Sequence, residues 1–184
     1  MSLSPRVALV ALVGALALLS TGAGPAGPGL GRQATPEEIA AWDISTPFDG
    51  ANLPPGKGSV AEGAAVYAAK CQICHGSRGI GNPADRLTGG VGSLTGRPVK
   101  TVNSFWPYAT TAFDYIRRAM PLNAPQTLTD NEVYAVVAYL LSIDSIIAPD
   151  AVLDANSLSL VKMPNRGGFV NWYNKPAIPA SPAR

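Results

Sequence analysis

The chain is short of the residues that carry metal and redox chemistry. Its 184 residues include one histidine, two cysteines and three methionines. With a single histidine, no site can use two imidazoles. The net charge of +2 is too small to mark a nucleic-acid binder. No internal repeat appears, which excludes a repeat array. No segment alternates convincingly as a strand, so helices and loops remain. Glycine (19) and proline (17) are plentiful, which places much of the chain in ordered loops. The length suits one domain with extensions.

The N-terminus reads as an export signal. Arg6 supplies the basic start, Val7 to Leu19 is apolar, and Thr21-Gly22-Ala23 offers small residues at cleavage spacing. A membrane span needs about 20 apolar residues, so an uncleaved anchor is the weaker reading. No cysteine follows the run, which excludes a lipoprotein anchor. The expected organisation is a signal peptide over 1–23, a flexible spacer over 24–34 and an N-terminal arm over 35–58. A helical domain over 59–145 and a C-terminal tail over 146–184 follow. The signal places the protein in the periplasm.

Helix signals are clear in three places. Thr35-Pro36-Glu37-Glu38 has a capping residue, a first-turn proline and acidic residues, and starts a short helix to Trp42. Ser59 and Glu62 form a capping box ahead of a stripe of Val60, Gly63, Ala64, Tyr67, Ala68 and Cys71. Thr129 and Glu132 form a second box ahead of Val133, Val136, Val137, Leu140 and Leu141. Between them, a helix is expected from Thr111 to Ala119, ended by Met120-Pro121. A weaker helix is expected over Ala151 to Val161. The glycine-rich stretch 76–98 reads as a long ordered loop wrapped around something other than a protein core. Gly79-Ile80-Gly81-Asn82-Pro83-Ala84 loosely fits a dinucleotide pattern. It follows no strand and contains Pro83, so it fails the context test.

Both cysteines and the only histidine lie within Cys71-Gln72-Ile73-Cys74-His75. This is the spacing of c-type haem attachment. At 3.6 residues per turn, positions 71, 74 and 75 share a helical face. Two thiols can then reach the two vinyl edges of one porphyrin while the imidazole reaches its iron. Other readings fit less well. Zinc would need an aspartate or glutamate as fourth ligand, whereas structural sites favour nitrogen and sulfur. A thioredoxin-like pair belongs in a βαβ setting and leaves the histidine idle. A Cys71–Cys74 disulfide closes too small a loop to add much stability. Cys71 and Cys74 are therefore expected to bind haem c covalently, with His75 as proximal ligand. The distal ligand is Met120 or Met163, each followed by proline. Met120 is favoured because it lies inside the helical domain, although a methionine more often fills a core gap.

From Ser59 to about Ser142 the sequence resembles a class I cytochrome c: a helix running into the pentapeptide, a distal Met120-Pro121, and a terminal helix opened by Leu128-Thr129-Asp130-Asn131-Glu132-Val133. The resemblance implies an all-α fold in which first and last helices cross, with Gly63 near Tyr134 or Ala138. A closer resemblance rests on Leu53-Pro54-Pro55-Gly56-Lys57-Gly58, Phe105-Trp106-Pro107-Tyr108-Ala109-Thr110-Thr111, Phe113-Asp114-Tyr115-Ile116-Arg117-Arg118-Ala119-Met120-Pro121 and Met163-Pro164-Asn165-Arg166. These are similar to the cytochrome subunits of sulfite and sulfane (sulfur) dehydrogenases. That family implies a molybdopterin dehydrogenase subunit as electron donor, with the tail around Met163 as a docking segment. Another cytochrome c or a terminal oxidase would be the acceptor. No catalysis is expected from this chain alone. A free carrier between respiratory complexes is the alternative, and haem-based sensing or peroxidase action a weaker third. Some relatives carry two haem motifs, and this chain has one.

Charge is segregated along the chain. Lys70, Arg78, Arg86, Arg97, Lys100, Arg117 and Arg118 face only Asp85 and Asp114 within 70–118, whereas 119–160 holds five acidic residues and no base. Such a dipole can steer association with an acidic partner, with Arg117 and Arg118 as the charges to test; a merely solvated surface accounts for it nearly as well. Trp106 and Tyr108 are candidates for haem propionate contacts or for plain core aromatics.

Overall fold

In a computed structural model, residues 30–171 and 173 are described. The expected signal peptide and most of the spacer lie outside them. Among the described residues, no helix is long and apolar enough to cross a membrane. A unit boundary falls between Ile39 and Ala40. Helix α1 (Pro36–Trp42) buries no residue. Its start is held locally, by Glu38 N–H donating to Thr35 Oγ1 at 3.3 Å and Thr35 N–H donating to Glu38 Oε2 at 2.9 Å.

The larger unit is mostly helical. Strand β1 (Lys57–Ser59) leads into α2 (Val60–Lys70), and the short α3 (Gln72–His75) follows Cys71. Next come α4 (Val102–Phe105), α5 (Ala109–Ala119), α6 (Asp130–Ile143) and β2 (Val152–Asp154). Both expected capping boxes form in full, at Ser59/Glu62 and Thr129/Glu132. Helix α6 is buried on nearly every side, through Val133, Tyr134, Ala135, Val136, Val137, Ala138, Leu140 and Leu141. A helix apolar all round must be the central one. Around it pack α2, α5 and the two strands. Phe113 of α5 stacks on Tyr134 with ring centroids 4.5 Å apart.

The α2–α6 crossing is tight because Gly63 has no side chain. A Cβ there would lie 1.8 Å from the Ala135 carbonyl oxygen and 2.8 Å from Tyr139 Cβ. The close approach is therefore to Ala135 and Tyr139, one residue along from the expected Tyr134 or Ala138. Lys70 Nζ ties the far end of α2 to Glu132 Oε1 at 2.6 Å. That ammonium, and then the Thr129 N–H, hold the Glu132 carboxyl below the usual glutamate range. A carboxyl depressed in the folded state adds stability above its unfolded pKa of about 4.3 and loses it as pH falls through the folded value. Glu132→Gln keeps the cap and removes the pair. Denaturant melts should show it about 0.5 kcal/mol less stable at pH 7. The gap should close once the pH falls well below 4.3.

After α6 the chain departs from expectation. No helix spans Ala151 to Val161. Residues 152–154 instead pair antiparallel with β1, with Gly58 opposite Leu153, and a single 3-10 turn follows at Leu158–Leu160. The Asp154 carboxylate explains the break, since it accepts from the N–H groups of Asn156 (2.9 Å) and Ser157 (2.8 Å). Such a side-chain turn competes with helix. The start of the segment expected as a tail belongs to the core, where Leu153, Leu158, Val161 and Met163 are buried. Helix α5 begins two residues before the expected Thr111. Helix α4 was not anticipated, although Thr101 and Ser104 give it a capping box.

Candidate haem-binding site

Helix α2 delivers the pentapeptide. The Cys71 N–H continues the helix by donating to Tyr67 O at 2.9 Å, and His75 N–H donates to Cys71 O at 3.0 Å. The one-turn α3 thus presents Cys71, Cys74 and His75 together. No disulfide joins the thiols; Cys71 is half-buried and Cys74 exposed. Burial pushes the Cys71 thiol up to about 11. The turn closes at Gly76, whose φ of +70° favours glycine, and where a Cβ would lie 2.5 Å from Gly81 O. The following loop folds back on the motif. Gly81 N–H donates to His75 O at 2.8 Å and Ala84 N–H to Cys74 O at 2.7 Å.

His75 Nδ1 lies 2.8 Å from the Asp85 carbonyl oxygen. A carbonyl only accepts, so Nδ1 carries the proton and Nε2 keeps its lone pair for a metal. The histidine was legible in the sequence. Its partner was not, because a backbone carbonyl leaves no side-chain signature.

The two candidate methionines part company. Met163 is 3% exposed and packs in the main core. Met120 is half-buried at the C-terminal cap of α5, where its N–H donates to Ile116 O at 3.0 Å. Ile116, one turn earlier on the same face, packs against Tyr67, Val136 and Leu140, as does Cys71. The end of α5 and the haem motif therefore converge on one cluster.

The donor set fits haem c: two free thiols, an imidazole with Nε2 available and a thioether outside the core. Ile73 and Leu122, beside Cys74 and Met120, are each 82% exposed, apolar side chains suited to contact with a macrocycle. Among the described residues no three His, Cys, Asp or Glu side chains cluster to hold a metal ion, so the zinc reading finds no ligand set. Trp106 packs edge-on against Tyr115 and beside the core. Tyr108 lies between Phe48 and the Arg166 guanidinium, the latter 4.6 Å from its ring centroid.

Two expected docking elements are already engaged. Arg117 Nε pairs with Asp130 at 2.8 Å and its Nη1 donates to Ile44 O, while Arg118 pairs with Asp114. In the Met163-Pro164-Asn165-Arg166 segment, Met163 fills the core, Asn165 Nδ2 donates to Phe105 O at 2.6 Å and Arg166 covers Tyr108. These groups serve the domain's own packing. Arg78, Arg86, Arg97 and Lys100 are exposed and pair with no carboxylate among the described residues.

Comparison with known proteins agrees with this geometry. The sequence model of the family described as cytochrome c oxidase, cbb3-type, subunit III matches residues 58–140. No curated protein matches significantly. Among solved structures, a chain in the crystal structure of the sulfane dehydrogenase SoxCD from Paracoccus pantotrophus is 40% identical. It superposes with a TM-score of 0.73, covering 85% of this chain and 83% of that one. With a helical domain built around a Cys-x-x-Cys-His turn and likeness on this scale, the chain belongs to the class I cytochromes c, electron-transfer proteins carrying haem c, and is similar to a chain of a sulfane dehydrogenase.

Proposed function

We propose that this chain is the periplasmic electron-accepting subunit of a molybdopterin sulfite or sulfane dehydrogenase. One observation carries the reading. The likeness to the sulfane dehydrogenase chain covers 85% of this sequence, whereas the general cytochrome match ends at residues 58 and 140. The resemblance thus includes segments outside the electron-transfer domain, as a shared partner would require.

In this reading Cys71 and Cys74 would hold one haem through thioether bonds, and His75 Nε2 and Met120 Sδ would bind its iron. When bound, the haem supplies a one-electron couple. The protein supplies the rest. Asp85 O fixes the imidazole tautomer, and Met120 stands at the end of α5. With His75 and Met120 both given to the iron, the sulfur chemistry would fall to the partner and this chain would only pass electrons. His/Met ligation raises the reduction potential, which suits an acceptor. The acceptor downstream is another cytochrome c or a terminal oxidase. Residues 1–23 are the export signal.

The test is to purify the protein gently from its host with whatever accompanies it, and to follow haem absorbance on adding sulfite or thiosulfate. Rapid reduction is expected, and removal of the accompanying protein should abolish it. Denaturation in acid and organic solvent should leave haem on the chain. A haem that dithionite reduces but neither sulfur donor touches would instead identify a free carrier.

A further inference from the structure

We infer that the Tyr67 hydroxyl is a positioning group for the His75 imidazole, acting through the carbonyl of Gly76. The inference rests on His75 being the iron ligand and is independent of the partner. Tyr67 lies on the inner face of α2, is 1% exposed, and stacks on Tyr139 with centroids 5.3 Å apart. Phenylalanine would give the same packing. The hydroxyl adds polar contact, donating to Gly76 O at 2.8 Å with the Gly79 backbone beside it. A buried hydroxyl without that bond would be unfavourable, so ring and carbonyl must keep register. Burial pushes the phenol up to about 12, which keeps it a donor near neutral pH.

The identity of the tethered residue matters. Gly76 directly follows His75 and sits at positive φ, with no side chain to anchor its peptide. Three bonds reach the motif from the loop that follows: Gly81 N–H to His75 O, Ala84 N–H to Cys74 O and His75 Nδ1–H to Asp85 O. All three come from the loop 81–85, which has no regular structure. Tyr67 instead belongs to α2, which is locked against α6 at Gly63. Of these four bonds it alone comes from α2, adding a side-chain tether to the backbone bonds Cys71 N–H to Tyr67 O and Gly76 N–H to Gln72 O that continue the helix into the turn. Without it, the Gly76–Ser77 peptide can rotate and loosen the loop that returns Asp85 O to the Nδ1–H.

The test uses the reduced holoprotein and measures solvent exchange of the His75 Nδ1 proton by NMR. Tyr67→Phe removes one oxygen and keeps the ring. The Nδ1 proton should exchange at least tenfold faster, while the Cys71 amide, bonded to the α2 backbone, should change less than twofold. Tyr139→Leu loosens the same ring stack but keeps the hydroxyl, and should leave the ratio of the two rates unchanged. In the wild type, the Tyr67 hydroxyl proton should be slow to exchange and close to the Gly76 α-protons. An unchanged His75 rate in Tyr67→Phe, an equal acceleration in Tyr139→Leu, or a freely exchanging wild-type hydroxyl would each overturn the inference. A wild-type spectrum without His75 ligation would overturn the site reading as well, before any variant is compared.

Discussion

Replacing Met120 by alanine should open the iron to exogenous ligands, and replacing Met163 by alanine should not. The two residues look alike in sequence, each a methionine before a proline, but the fold uses them differently. Met163 is 3% exposed among Leu153, Leu158 and Val161. Its truncation leaves a cavity and should lower stability by about 2–5 kcal/mol, with the haem spectrum intact. Met120 is half-buried and lies outside that cluster. Its truncation removes little packing but takes away the proposed iron ligand. The reduced Met120→Ala protein should bind carbon monoxide within the mixing time, whereas the wild type should bind it slowly. The reduction potential should fall, since methionine opposite histidine raises it. Stopped-flow carbon monoxide binding and a potentiometric titration on both variants settle the assignment. Fast binding in Met163→Ala, with Met120→Ala unchanged, would exchange their roles.

The contrast shows which parts of the molecule were legible beforehand. The helix starts at Ser59 and Thr129 were, because a capping box is a local device whose partners lie three residues apart. The haem motif was also legible, since its chemistry sits in one helical turn. Long-range pairings were not. The Asp85 carbonyl opposite His75 is backbone, and any residue type could have supplied it. Strands β1 and β2 have three residues each, too few for alternation to register. The helix expected at Ala151 to Val161 lost to the Asp154 turn and to pairing with Gly58, a contact about a hundred residues away in sequence. The charge pattern was legible only in part, for a related reason. Composition reveals that Arg117 is basic, but only the fold reveals that Asp130 and Ile44 O already hold it. The helix crossing was right in kind and wrong by one residue. An apolar stripe marks a face, but α6 is apolar all round, so the stripe could not choose which side meets Gly63.

That crossing yields the second large effect. Gly63→Ala should be strongly destabilising, although helix propensity alone favours alanine by about 1 kcal/mol. The new methyl would sit 1.8 Å from the Ala135 carbonyl oxygen and 2.5 Å from its carbon. Both are backbone atoms of the central helix, so no side-chain rotation can relieve the clash. Relief requires α2 and α6 to separate. Separation would disturb the Tyr67–Tyr139 stack and the Lys70–Glu132 pair on the same seam. Overpacking in cores usually costs about 1–3 kcal/mol, and a clash of backbone with a fixed methyl belongs at or above the upper end. Such a loss is a large share of a small domain's total stability of about 5–15 kcal/mol. The expected result is a thermal midpoint lowered by ten degrees or more, a shift on the order set by domain size. Because α2 also carries Cys71, haem incorporation during expression should fall in parallel. Gly92 provides the control: no atom lies within 4 Å of a Cβ built there, but its φ is +83°. Gly92→Ala should therefore show only backbone strain, on the order of 1 kcal/mol. If Gly63→Ala proved no worse than Gly92→Ala, the two helices would have to be further apart than this crossing places them.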